Sequence, residues 1–386
     1  MVQRIAKKKL IDLASKFKAV AVIGARQSGK TTLIKQIFRT KPYVSMENPD
    51  TRHFATEDPR GFLSTFPEGA ILDEVQRVPQ LFSYLQEILD DQRTKGLFIL
   101  SGSNNFLLQQ NISQSLAGRV GYLQLLPFSI NELSKNKLLA TSDDALMLKG
   151  FYPPIYDQKI PFSDWCPNYI STYIERDVRQ IKNITDLIVF GKFMKLLAGR
   201  NGQELNYSSL SIETGVDMKT IQSWVGVLES SFIIYLLKPH HNNFNKTIVK
   251  RPKLYFYDTS IVCSLLGIRN TSQLKNHPLR GAIFEGMVIT ELLKNRTNAG
   301  KPINLSFWRD KTGREIDVII DNGNIQFPIE IKSGKTIQDE FLKNIEYWKT
   351  MTGFKKGLVL YAGKENQKRS KGTDILNWRE LSKLDL

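Results

Sequence analysis

The spacing of apolar positions changes several times along the chain, and each change predicts a different element. Five small or β-branched apolar residues in a row, Ala19 to Ile23, predict a fully buried strand. Before it, Ile5, Leu10, Leu13 and Phe17 fall loosely on one side of a short amphipathic helix within Met1 to Lys18, whose role is packing. After it comes a helical run, Thr32 to Phe38. Further apolar runs predict strands at Tyr43–Ser45, at the start of Ala70–Gln76, at Leu97–Leu100 and at Val120–Leu125. Strands alternating with helices predict a parallel sheet covered on both faces. Asn48 to Pro67 is polar and turn-rich, and its His53 reads as a surface residue. Ser129 and Glu132 have the spacing of a capping box, so a helix starts there; Ser134 to Lys149 then reads as a loop or linker.

Beyond the linker the pattern becomes helical. Asp164 to Ile184 predicts a long helix and Asp186 to Ala198 a second, together a helical lid or bridge. Tyr207 to Tyr257 reads as a winged helix-turn-helix: Ser208–Glu213, a turn at Thr214–Asp217 with Gly215, the longer helix Met218–Glu229, then strands Phe232–Leu237 and Lys253–Tyr257 around a wing. In the last part, helix Arg280–Lys294 precedes strands Leu305–Trp308, Glu315–Ile320 and Gln326–Lys332, with a tight turn at Asn322-Gly323. Helix Asp339–Thr350 and strand Gly357–Tyr361 complete the αβββαβ order of a restriction-endonuclease-like core. The expected fold class is α/β: a parallel-sheet domain over 1–135, a helical region over 136–205, a winged helix over 206–260 and a restriction-endonuclease-like α/β domain over 270–386.

Composition narrows the partners. The 386 residues carry a formal charge of +16, with 20 basic against 14 acidic residues in 1–150 and 34 against 24 in the rest, so both halves are basic. A polyanionic partner fits this balance, nucleic acid first and an acidic membrane surface second. Ser230 to Tyr257 has no carboxylate but carries Lys238, Lys246, Lys250, Arg251 and Lys253, either a nucleic-acid-binding wing or a plain solvated face. Lys219, Thr220, Gln222 and Ser223 are placed to face a groove. Cys166 and Cys263 fit neither a disulfide framework nor a structural zinc site, which points to a reducing cytosol. The N-terminal MVQRIAKKKL is not followed by an apolar segment, and the longest apolar run, Phe232–Leu237, is too short to span a bilayer. A cytoplasmic protein without a membrane span is expected.

The sharpest chemical signal follows the first strand. Gly24 to Thr31 fits G-x-x-x-x-G-K-[ST] between a strand and a helix, a loop whose backbone N–H groups turn inward around a polyphosphate. Gly24, Ala25, Arg26, Gln27, Ser28, Gly29, Lys30, Thr31 and Thr32 are the candidate ATP contacts, with Lys30 on the β- and γ-phosphates and the Thr31 hydroxyl on Mg²⁺. Ala70–Gln76 ends its apolar run in adjacent carboxylates; Asp73 is assigned to the metal and Glu74 to polarising the attacking water, which points to hydrolysis. The polar run after Leu97–Leu100 offers Ser101, Ser103 or Asn104 as a γ-phosphate or water contact, Ser103 being grouped with the nucleotide residues; capping the next helix is the competing role. Arg119, just before the fifth strand, is either a finger reaching a neighbouring subunit's γ-phosphate or one half of a structural salt bridge.

The stretches GARQSGKTT, ILDEVQRVP, ILSGSNN, SLAGRV and PFSINEL are shared with a known group. With YISTYIERDV, KTIQSWVGVLESSFIIYLLKP and GAIFEGMVITELLK they make the chain resemble bacterial and archaeal AAA-type P-loop ATPases that carry a C-terminal domain related to PD-(D/E)XK nucleases. The resemblance marks Glu175, Arg176 and Asp177 as a feature of unknown purpose. In the last domain Glu330 and Lys332 share one face of a strand, the hairpin brings Asp317 to them, and Glu285 lies in the preceding helix. Asp317, Glu330 and Glu285 are the candidate Mg²⁺ ligands there, and Lys332 the group that activates water. Taken together, an ATPase acting on DNA and assembling with copies of itself in the ATP state is expected. The competing expectation is an ATP-controlled switch or adaptor whose last domain cuts nothing.

Overall fold

A computed structural model describes residues 2–102, 112, 115–174, 186–240 and 250–384. The chain forms two units, one of residues 1–128 with 230–232 and 296–302, the other of 129–229, 233–295 and 303–386.

In the first unit, strands β1 (Ala19–Ile23), β2 (Tyr43–Ser45), β3 (Ile71–Asp73), β4 (Phe98–Gly102) and β5 (Val120–Gln124) form an all-parallel sheet in the order β2-β3-β4-β1-β5. Both β1 and β4 are buried along their whole length, which is why their sequences are continuous apolar runs and not alternating ones. Leu10 and Leu13 of the helix Ala6–Lys16 pack with Val20, Val22, Leu33, Ile34, Ile99 and Leu123, as the packing role required. The segment read as turn-rich contains two helices, Pro49–Glu57 and Pro59–Ser64. Each starts on a cap-proline pair: the Asn48 side chain accepts from Thr51 N and that of Asp58 from Gly61 N, and a proline at the first helical position loses no hydrogen bond.

The strand order decides where chemistry can gather. Strand β4 lies between β1 and β3, with Val22 opposite Ser101 and Asp73 opposite Ser101 on the other side. The C-terminal ends of three strands are therefore level, and whatever follows them shares one edge of the sheet.

The second unit begins with the helix Ile130–Lys135, whose Ser129–Glu132 capping box is formed in both directions. The expected linker holds a helix, Asp143–Lys149, because the Ser142 side chain accepts from Ala145 N and three apolar residues follow at buried positions. The expected long helix is described only as far as Ile174. Phe162–Tyr169 carries Pro167 inside it and passes into a wider turn over Ile170–Ile174, and Glu175, Arg176 and Asp177 lie outside the described residues. Helix Leu187–Ala198 is capped by Asp186.

Helices Tyr207–Thr214 and Met218–Ser230 meet at Gly215, which is left-handed, and strands β6 (Ile234–Leu237) and β7 (Lys253–Phe256) then pair antiparallel. Helix Arg280–Ala299 precedes a six-stranded mixed sheet of β8 (Leu305–Arg309), β9 (Glu315–Asp321), β10 (Gln326–Lys332), β11 (Gly357–Tyr361), β12 (Gln367–Lys368) and β13 (Thr373–Asn377), in the order β12-β13-β11-β10-β9-β8. Helix Glu340–Thr352 covers one face through Phe341, Ile345 and Trp348, against Trp308, Ile316 and Val359. The αβββαβ order is present as read; β12, β13 and the short helices Thr259–Leu265 and Thr271–Lys275 lie beyond that reading.

Candidate nucleotide site and a second acidic cluster

The loop after β1 is shaped by backbone that side chains resist. Gly24 has φ +148, and a Cβ there would stand 2.0 Å from the Leu125 carbonyl oxygen; Gly29 has φ +90 at the start of helix Lys30–Ile37. Ala25 and Ser28 are buried, Arg26 is half-buried, and Gln27 and Thr32 are exposed. Gln27 holds a positive φ of 58 although it is not a glycine. The buried Ser28 hydroxyl has no hydrogen-bond partner among the described residues.

Lys30 folds back inside this loop. Its Nζ donates to the carbonyls of Gly24 and Ala25, both at 2.9 Å. Burial lowers its pKa, with Glu74 and Asp73 pulling the other way. A lysine solvated by two neutral carbonyls within a loop of bent backbone matches a polyphosphate in sign and size.

Asp73 collects hydroxyls. Thr31 Oγ1 donates to its Oδ2 at 3.1 Å, Tyr43 OH to the same oxygen at 2.6 Å, and Ser101 Oγ to its Oδ1. Neutral donors orient a carboxylate without cancelling its charge, so Asp73 with Thr31 fits a hard cation that takes its remaining ligands from phosphate and water. Glu74, the next residue, sits at φ 54, left-handed, and its Oε2 accepts from Gln76 Nε2 at 2.5 Å. A carboxylate held in unfavourable backbone at a strand end has been aimed at some cost.

Three contributors to this edge escaped the sequence. Tyr43 stands on β2, whose neighbour is β3, and only the strand order makes that contact visible. Gln76 follows Glu74 by two residues and could have been found by asking what holds the carboxylate. Arg4 donates to the carbonyls of Ser28 and Leu126, both at 2.6 Å, and so ties the phosphate loop to the segment after β5. Of the strand β4 candidates, Ser101 turns to Asp73, whereas Ser103 and Asn104 lie outside the described residues.

Arg119 is not brought to this edge. Its carbonyl accepts from Ala19 N at the opposite end of β1, and its guanidinium grips Asp90 twice, Nε to Oδ1 at 2.5 Å and Nη2 to Oδ2 at 2.8 Å. The salt bridge is therefore formed within the chain.

The second unit gathers the other candidates, together with partners that were not foreseen. Asp317 and Glu330 face each other across the β9–β10 ladder, next to the Val318–Ile329 pair. Lys332 Nζ is 2.6 Å from Glu330 Oε2 and 3.8 Å from Asp317 Oδ2, and Asp317 also accepts from Ile331 N at 2.7 Å. Burial and the Asp317 carboxylate push the Glu330 pKa well up, against the pull of Lys332, and its Oε1 is buried with no hydrogen-bond partner among the described residues. Glu285 Oε1 takes Tyr255 OH at 2.5 Å and Lys253 Nζ at 3.4 Å, and burial raises its pKa to about 7. Lys253 also contacts Glu315, and Arg309 approaches Glu315 Oε2 at 3.6 Å.

One expectation changes here. Lys253 was grouped with an exposed basic stretch but is buried in this cluster, while Lys238, Lys250 and Arg251 are exposed and Lys246 lies outside the described residues. Among the described residues no group of three His, Cys, Asp or Glu side chains is arranged to hold a metal. Lysine ammonium groups sit on Glu285 and Glu330.

Residues 16–134 match the family model of an AAA domain, and 142–272 and 280–381 match two domains of unknown function, DUF8612 and DUF4143. The chain is 29% identical over 322 residues to an uncharacterized protein of Mycobacterium tuberculosis, covering 82% of this chain and 70% of the other. It is 25% identical over 387 residues to an uncharacterized protein of Methanocaldococcus jannaschii, covering 86% and 79%. Among solved structures, a Walker-type ATPase of Pyrococcus abyssi overlaps 67% of this chain and 94% of its own at 15% identity and a TM-score of 0.44. AMPPCP-bound DnaA from Aquifex aeolicus overlaps 58% and 86% at 16% identity and a TM-score of 0.30. No helix of the described residues is long and apolar enough to cross a membrane.

Proposed function

We propose that this chain is a Mg²⁺-dependent ATPase of AAA type that acts on DNA. The observation that carries the ATPase reading is the convergence of Lys30, Thr31, Asp73, Ser101 and Glu74 on one edge of the parallel sheet. Lys30 exchanges its two loop carbonyls for β- and γ-phosphate oxygens, and the loop N–H groups take the rest of the triphosphate. Thr31 and Asp73 are the residues that would hold Mg²⁺, which would offset the charge of the phosphates. Glu74 accepts the proton of the attacking water while Gln76 holds the carboxylate in place. Arg119 acts between copies of the chain, leaving Asp90 for a neighbour's γ-phosphate.

The DNA reading rests on net charge and on the helix-turn-helix geometry of Tyr207–Ser230 with exposed Lys219, Gln222, Lys238, Lys250 and Arg251 around it. Phosphate release with and without DNA tests both parts. Turnover that Glu74→Gln removes and DNA raises supports them; turnover indifferent to linear, branched and single-stranded DNA favours a nucleotide-controlled switch. Replacing Lys250 and Arg251 with alanine should weaken DNA binding alike for all sequences and lower the salt slope by about one per residue removed.

The second sheet has the element order of a nuclease-like core, but its carboxylates do not fit a divalent ion as arranged. A specific observation thus favours the non-cutting version of this domain: both Glu285 and Glu330 are bound to lysines.

A further inference from the structure

The cluster around Lys253 contains a residue that no nuclease-like pattern requires. Lys253 comes from β7, outside the αβββαβ core, and its position on that strand is paired with Leu237. Tyr255, two residues on, shares its face, so both side chains reach Glu285 Oε1. Only 4% of the Lys253 side chain is exposed. Its ammonium touches Glu315, stands 3.4 Å from Glu285 and lies 5.4 Å from the centre of the Phe307 ring, whose face suits a cation. These are the surroundings of a bound cation: carboxylate oxygens, a tyrosine hydroxyl orienting one of them, and an aromatic wall.

We propose that Lys253 is the resident cation of this acidic site and keeps divalent metal out of it. A doubly charged ion among Glu285, Asp317 and Glu330 would stand beside a buried ammonium on one side and Lys332 on the other, and like charges at such range in a poorly solvated site repel strongly. One oxygen of each carboxylate already takes a donor: Glu285 Oε1, Asp317 Oδ2 and Glu330 Oε2. The ammonium is tethered, so it competes at a local concentration that free metal does not reach. Access of metal to the six-stranded sheet is thereby controlled by a residue of the β6–β7 pair.

The inference rests on reading this sheet as nuclease-like, but its test reads metal binding and not cleavage, so the two fail separately. Nucleotide-free protein is titrated with Mn²⁺ and free ion is followed by electron paramagnetic resonance. Wild type and Asp317→Asn should give the same curve up to millimolar Mn²⁺. Lys253→Met should gain one site at least ten-fold tighter than any in the wild type, and adding Asp317→Asn to it should remove that site. A wild-type site that Asp317→Asn abolishes overturns the proposal, as does a folded Lys253→Met protein with no new site. If Lys253→Met does not fold, the comparison of wild type with Asp317→Asn still decides.

Discussion

Lys30 and Lys253 are both buried lysines at the centre of a candidate site, and their partners differ in kind. Lys30 rests on two neutral carbonyls of its own loop. Lys253 rests on carboxylates; burial alone would lower its pKa, but Glu285, Glu315 and Asp317 together hold it above the ordinary value. A cation on neutral oxygens still has its charge to offer, and a triphosphate is a better partner than a carbonyl. A cation inside ion pairs has been used to cancel charge that would otherwise be stranded. The first arrangement is built for exchange and the second for retention, because a buried charge left without its partner is far more costly than a lost hydrogen bond.

The largest effects should therefore come at the nucleotide site and fall on function. Lys30→Ala should abolish tight ATP binding, measured with a fluorescent nucleotide, while leaving the thermal midpoint nearly unchanged. Glu74→Gln should keep binding and lose turnover by about 10²- to 10⁴-fold, the range for a positioned base. Wild-type phosphate release from Glu74→Gln would remove that residue from the mechanism. Arg119→Ala should leave affinity intact and cut kcat by about 10³-fold or more if it serves a neighbour. Mixing it with Glu74→Gln should then restore some activity, since one partner brings a sound finger and the other a sound site. No rescue at any ratio, with a monomer in ATP, would leave Arg119 as a structural arginine.

At the acidic cluster the same kind of substitution should act on stability. Lys253→Met takes the buried ammonium away from Glu285 and Glu315, and breaking a buried pair in this way costs about 3–5 kcal/mol. Chemical denaturation should show that loss, and Lys253→Met with Glu285→Gln should recover part of it. A Lys253→Met protein as stable as the wild type would mean that the carboxylates are not held by this lysine, and the contrast with Lys30 would collapse.

How far these sites could be read from sequence follows from the same distinction. The phosphate loop is contiguous, so its strand, glycines, lysine and helix start are all visible within Ala19–Phe38. Asp73 and Glu74 were legible because they end an apolar run. Tyr43 and Arg4 were not, since each reaches the site through strand order or a long-range hydrogen bond that leaves no local pattern. In the last domain the αβββαβ order and the cross-strand meeting of Asp317 with Glu330 followed from period-two alternation and a turn at Asn322-Gly323. Lys253 was misread because a carboxylate-free basic stretch looks solvated when its neighbours are charged. Nothing in Lys250, Arg251 and Lys253 themselves says that two face water and the third faces Glu285 from 32 residues away.

The smallest effect separates the two meanings of Arg119. Its bidentate pair with Asp90 lies on the surface, where solvent screens the attraction and holding two side chains together offsets much of the gain. Asp90→Asn should therefore barely move the denaturation midpoint. What it should change is the availability of the guanidinium, because Asp90 is the anion that a neighbour's phosphate must replace. If Arg119 works between subunits, Asp90→Asn should hold or raise turnover at high protein concentration, where neighbours meet, even though Arg119→Ala lowers it. If the pair is needed to brace the start of β5, both substitutions should lower turnover alike and to the same degree at every protein concentration. A concentration series on the two variants, run beside the wild type, tells these apart without any structure of the assembly.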